Sequence, residues 1–112
     1  MKIQPIGKIK HLPKMNKWTS VEEIEAFLED NDWSQAKITE FNLGKDEVYL
    51  ALHKNGETIY FLCHGIEKIT FSLLTENLHI SSIRIAQKEE GIRLRVGHIR
   101  VLADSVELIE NV

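Results

Sequence analysis

The sequence predicts an α+β fold that is mostly β. One N-terminal helix packs on a curved antiparallel sheet, a sandwich or partly open barrel of about eight strands. Three observations predict it. A helical apolar stripe occurs once, at Val21, Ile24, Phe27 and Leu28. Short runs of alternating apolar and polar residues then follow from about Ala36 to Ile109. The runs are joined by hairpin-length connections, and a parallel crossover needs about a dozen residues or more, so neighbouring strands must be antiparallel.

Residues 1–17 read as an irregular or edge segment. Pro5 and Pro13 exclude a continuous helix or a central strand, while Ile3, Ile6 and Ile9 can tuck against the body. The helix is expected over residues 20–30. Thr19 or Ser20 can cap it, and the glutamate three residues on, Glu22 or Glu23, completes a capping box in either case. Asp30-Asn31-Asp32 ends it. The β region is expected over residues 36–110. Ile38 to Leu43 is its first candidate, closed by Gly44-Lys45-Asp46. Val48, Leu50 and Leu52 then alternate with Tyr49, Ala51 and His53. Asn55-Gly56 is the clearest turn, because both residues tolerate the positive φ of a type I′ hairpin.

Thr58 to His64 is apolar on both faces and therefore central. Gly65 breaks the pattern, and Ile66 to Leu74 reads as a further strand. Thr75-Glu76-Asn77 connects it to a strand over Leu78 to Ala86. After the Lys88 to Gly91 turn, Ile92, Leu94 and Val96 alternate with Arg93 and Arg95. Beyond Gly97, Ile99 to Ala103 and Val106 to Ile109 supply the last two candidates.

The 112 residues suit one domain, 1–112, with 43% hydrophobic and 28% charged residues, an ordinary globular composition. A net charge of -3 argues against a general nucleic-acid binder, which presents a basic face. Cys63 is the only cysteine, which excludes an internal disulfide and favours a reducing cytoplasm. The lysine-rich start lacks the apolar run of a secretory signal, and no stretch approaches the roughly 20 apolar residues of a membrane span. The expectation is a cytoplasmic protein with no membrane or nucleic-acid partner, monomeric when unbound.

No nucleophile–base pair stands at useful spacing, so no catalytic residue is expected. Cys63 and His64 are adjacent on a strand and point to opposite faces. His53 with His64, or His79 with His98, can at best pair across strands, and two imidazoles make a poor zinc site. No metal or cofactor is expected. Two charged surfaces remain. Glu22, Glu25, Glu29, Asp30 and Asp32 form an acidic patch on and just beyond the helix, suited to a basic partner, with Trp33 as an anchor at its end. Trp18 and Trp33 also read as residues that fix the helix on the sheet. The alternative ligand face is Arg84, Arg93, Arg95 and His98, where guanidinium groups can grip phosphate or carboxylate; Arg100 lies close by in sequence.

From Thr58 to Leu108 the order of elements resembles the small β-rich immunity proteins of bacterial toxin–immunity systems, including contact-dependent growth inhibition. Phe61-Leu62-Cys63-His64-Gly65-Ile66-Glu67-Lys68-Ile69-Thr70-Phe71 looks like their strand, glycine, strand unit. Asn77, Ile80 and Ile83 look like the next strand. Gly91 to Val96 and Asp104 to Leu108 look like the closing strands. The resemblance implies a non-catalytic inhibitor that binds a cognate toxin domain and blocks its active site. It names no functional residue. A nuclease toxin, with its basic substrate cleft, is the partner that the acidic helix face fits.

Overall fold

The structure, a computed structural model, describes residues 15–71 and 79–111. The elements are β1 (Met15–Trp18), α1 (Val21–Asp30), β2 (Lys37–Leu43), β3 (Glu47–Lys54), β4 (Glu57–Thr70), β5 (Ile83–Lys88), β6 (Gly91–Val96) and β7 (Ile99–Asn111). The strands form one seven-stranded antiparallel sheet, not closed into a barrel, in the order β2-β3-β4-β7-β6-β5, with β1 added beside β7. No helix among the described residues is long and apolar enough to cross a membrane.

Two long strands, β4 and β7, run through the middle of the sheet. Their ladder extends from Thr58 opposite Asn111 to Thr70 opposite Arg100. On its far edge, β7 pairs first with β6, through residues 99–103, and then with β1, through residues 108–111. The sheet therefore has two halves sharing one ladder. Gly65 bends β4 between them. Its φ is +68°, and the space a Cβ would need is filled by the Asp104 side chain opposite. The register slips between Ile66 and Lys68, as at a bulge. Side chains from both halves then meet in one core that includes Leu50, Phe61, Cys63, Leu94, Val101 and Leu108.

α1 packs on this core beside β5 and β7. Ile24 and Phe27 are its buried residues, and the Phe27 ring lies 4.6 Å from Trp18. Ser20 is the cap: its Oγ accepts the Glu23 N–H at 3.2 Å and donates to Glu23 Oε1 at 2.9 Å. At the other end the Asn31 N–H and Nδ2 both donate to the Phe27 carbonyl.

The Asn55-Gly56 turn is as expected. Both residues have positive φ (51° and 81°), and Lys54 pairs with Glu57. Gly56→Val is expected to destabilise by on the order of 1 kcal/mol or more, because a β-branched side chain opposes left-handed backbone. A urea midpoint equal to wild type would contradict the turn.

Of the segment read as irregular or edge, the described end takes the edge form: Met15–Trp18 is a short strand added beside β7. Other expectations need correction. Gly65 does not end a strand, and Asp104-Ser105 does not interrupt one: each lies within a single long strand. Two expected breaks are thus absent, leaving seven strands, with the short β1 among them. In the segment expected to be a strand over Leu78 to Ala86, Leu78 lies outside the described residues, and the strand begins at Ile83 rather than at residue 79. Before it, His79 bridges Lys37, and the Ile80 N–H donates to the Ala36 carbonyl. The readings of Pro5, Pro13 and the apolar residues Ile3, Ile6 and Ile9, of Leu73 and Leu74, and of the Thr75 to Asn77 connection lie outside the described residues.

Candidate functional site

The sheet half built from β5, β6 and β7 turns one face to the core and the other outward. Ile85, Leu94 and Val101 point in, so by strand alternation Arg84, Arg93, Arg95 and Arg100 point out, and all four are exposed. Arg84 pairs with Arg95 across β5–β6, and Arg95 pairs with Arg100 across β6–β7. Three guanidinium side chains therefore stand in one row across three strands. The next row holds Ala86, Arg93, Leu102 and, across β4, Lys68. Lys88 lies two residues beyond Ala86, on the same face.

Like charges directly opposite on a sheet destabilise it unless a counter-charge intervenes. Among the described residues no carboxylate lies within salt-bridge distance of any of these arginines; the ion pairs are Lys17–Glu107 (3.4 Å) and His64–Glu47 (3.6 Å), both elsewhere. Asp104 is further along β7 and folds over Gly65. Arg95 Nε donates to the Gly97 carbonyl at 3.5 Å, which draws this side chain toward the Gly97-His98 turn. His98 is exposed on that turn, at one end of the face. The expected alternative face, Arg84, Arg93, Arg95 and His98, is thus one surface, and Arg100 and Lys68 extend it. Arg100 joins through the length of the β6–β7 turn. Lys68 joins only through the β4–β7 ladder, which no local pattern signals.

The acidic helix surface is smaller than its sequence implies. Glu22, Glu25 and Glu29 are exposed. Glu25, Leu28 and Glu29 form one wall of a shallow groove of about 550 Å³ whose other wall is Ile83 to Ala86, so this surface borders the arginine face at Arg84. Asp30 is exposed, beside a second groove near Trp18 and Glu110. Asp32 has a structural task. Its Oδ1 accepts the Ser34 N–H at 2.9 Å, and its backbone carbonyl accepts Lys54 Nζ. Hydrogen bonding from Ser34, with the charge of Lys54 adding to it, holds the Asp32 carboxyl below the usual carboxylate range. Trp33 needs a plain correction. It is 5% exposed within the core, so it fixes the loop to the domain and presents no anchor to a partner.

Cys63 faces the core, and burial pushes its thiol up to about 12. His64 turns the other way, toward Glu47. The two do not form a nucleophile–base pair. His53 contacts Thr58 at 3.1 Å and stands at the opposite end of β3 from the residue paired with His64, so the two imidazoles do not meet. The described residues contain no group of three or more metal-ligand side chains.

On the reverse side of the first sheet half, Tyr49, Leu62 and Ile109 form a separate small cluster with Tyr60 against it. Burial raises the Tyr49 phenol well above its ordinary value, and the nearby charge of Glu40 raises it further. Neither the Tyr49 hydroxyl nor Glu40 Oε2 makes a hydrogen bond of good geometry among the described residues. The sequence offered no signal for this pair, since it depends on the register of β2 against β3. Comparison of the chain with protein families, with curated proteins and with solved structures finds no match.

Proposed function

We propose that this protein is a non-catalytic recognition domain that holds an anionic macromolecule on its arginine face. One observation carries this reading: Arg84, Arg95 and Arg100 stand in register on adjacent strands with no carboxylate partner among the described residues. Such a row opposes folding, so it makes physical sense as a surface completed by a bound counter-charge. The arginines stand exposed on the outer side of three adjacent strands, which suits a large partner better than a small substrate enclosed in a cleft. A lone cysteine sealed in the core suits a reducing cytoplasm.

Heparin-agarose tests this reading. A protein of net charge -3 should pass through unless its cations are segregated. Retention at low salt is expected, with loss of retention when all four arginines become glutamine. Wild-type protein in the flow-through would refute it.

A second reading, neutralisation of a toxin domain in the manner of an immunity protein, is favoured by Glu22, Glu25 and Glu29. They sit on the exposed side of a helix locked in place by Ser20, Ile24 and Phe27. Electrostatic docking of that side into a basic cleft accelerates association and weakens with salt. If a toxin gene neighbours this one, its product should copurify with wild type. The Glu22→Lys, Glu25→Lys, Glu29→Lys variant should associate more slowly at low salt. Equal rates for the two would exclude the helix as the interface.

A further inference from the structure

Resting on the arginine-face reading, we infer that the anionic partner is a double-stranded nucleic acid held by its phosphate backbone, without reading of sequence. Every arginine of the chain lies on this one face, whereas lysines are spread along the whole sequence. The planar guanidinium fork binds a phosphate through two parallel hydrogen bonds, which an ammonium group does not. Residues two apart on a strand are about 6.8 Å apart, and neighbouring strands are about 4.8 Å apart. Arg93 and Arg95 along β6, with Arg84 and Arg100 on either side, thus offer repeated forks to a ligand of repeated charge. Lys68 and Lys88 widen the cationic area.

Three properties of the face select the duplex over other anions. Large apolar side chains exposed among the described residues are Leu43 and Phe71, and neither belongs to it. A surface that inserts into a membrane presents such side chains. Single strands are gripped by stacking successive bases on aromatic rings, and the strands of the face carry no Phe, Tyr or Trp; the one imidazole, His98, stands alone on the turn at its end. Protein interfaces concentrate their energy in aromatic and apolar anchors at the centre, whereas the centre here is Arg95 flanked by Arg84 and Arg100. Phosphate contacts alone position a duplex without specifying its bases. Glu25 and Glu29 on one border and Asp104 on another limit the footprint to a few phosphates. The overall charge of -3 does not register this face, because net charge sums over the whole surface and acids also adjoin the face: Glu67 beside Lys68, and Glu89 and Glu90 beside Lys88.

The test is fluorescence anisotropy of a labelled DNA duplex of about 20 base pairs, from about 50 to 200 mM salt, with micromolar binding expected at the low end. Each phosphate neutralised contributes about -0.9 to the slope of log affinity against log salt, so a slope of about -3 to -4 is expected. The Arg95→Gln, Arg100→Gln variant should lose about two units of that slope and at least about tenfold in affinity at low salt. A Lys37→Gln, Lys45→Gln variant, changed away from the face, should bind as wild type does. Thermal unfolding checks the fold: removing two in-register like charges should leave the midpoint no lower than wild type. Tighter binding to poly-L-glutamate or to phosphatidylserine vesicles than to the duplex overturns the inference while the anionic-partner reading stands. An unchanged slope in the arginine variant overturns the inference as well. Failure to bind both the duplex and heparin overturns both.

Discussion

Replacement of Phe61 by alanine should cost about 3–5 kcal/mol, the range for removing a fully buried phenylalanine. Phe61 is 0% exposed, in the middle of β4, with Leu50 on one side and Leu108 on the other. It therefore lies in the core where β3, β4 and β7 meet. A domain of this size has roughly 5–15 kcal/mol of stability, so this single change removes a large share. Urea unfolding should show a lower midpoint with an unchanged slope. Leu62→Ala, on the opposite face in the small Tyr49–Ile109 cluster, should cost less than Phe61→Ala. Equal losses would mean that the two faces of β4 are not as unlike as described.

Gly65→Ala should be strongly damaging. Two costs coincide. The left-handed backbone, with φ +68°, disfavours any Cβ by roughly 1–2 kcal/mol. The new Cβ would also stand 2.8 Å from the Asp104 Cβ, closer than such atoms approach. A double-mutant cycle separates them. Asp104→Gly clears the space, so in that background Gly65→Ala should retain only the backbone cost. If the cost is undiminished, the clash with Asp104 is not what the glycine avoids. At Gly56, where nothing lies within 4 Å, only the backbone cost applies.

Local chemistry was legible in the chain, and distant pairing was not. The β3–β4 hairpin could be read because Asn55-Gly56 dictates its turn and Val48, Leu50 and Leu52 mark the inner face. The helix could be read because its cap and stripe lie within one short segment. Arg84 facing Arg95 follows from a turn of fixed length at Lys88 to Gly91. Gly65 and Asp104-Ser105 misled for one shared reason. Each looks like a break when read alone, yet they face each other across the ladder, and the missing side chain of one makes room for the other. Periodicity records which residues face inward, but not which strands become neighbours. Trp33 illustrates the same limit: nothing near it in sequence distinguishes a buried aromatic from an exposed anchor.

The central position of β7 has a kinetic consequence. This last strand lies between β4 on one side and β6 and β1 on the other. Its partners Thr58 and Met15 are far back along the chain from Asn111. Loop-closure entropy must be overcome before those pairings stabilise anything, so the folding rate should fall in the millisecond-to-second range of domains dominated by non-local contacts. On the ribosome, the hairpin of β3 and β4 emerges early but lacks the strand that covers its inner edge. Until residue 111 clears the exit tunnel, that edge is open to strand pairing with other chains, and the nascent domain depends on chaperones or on rapid completion.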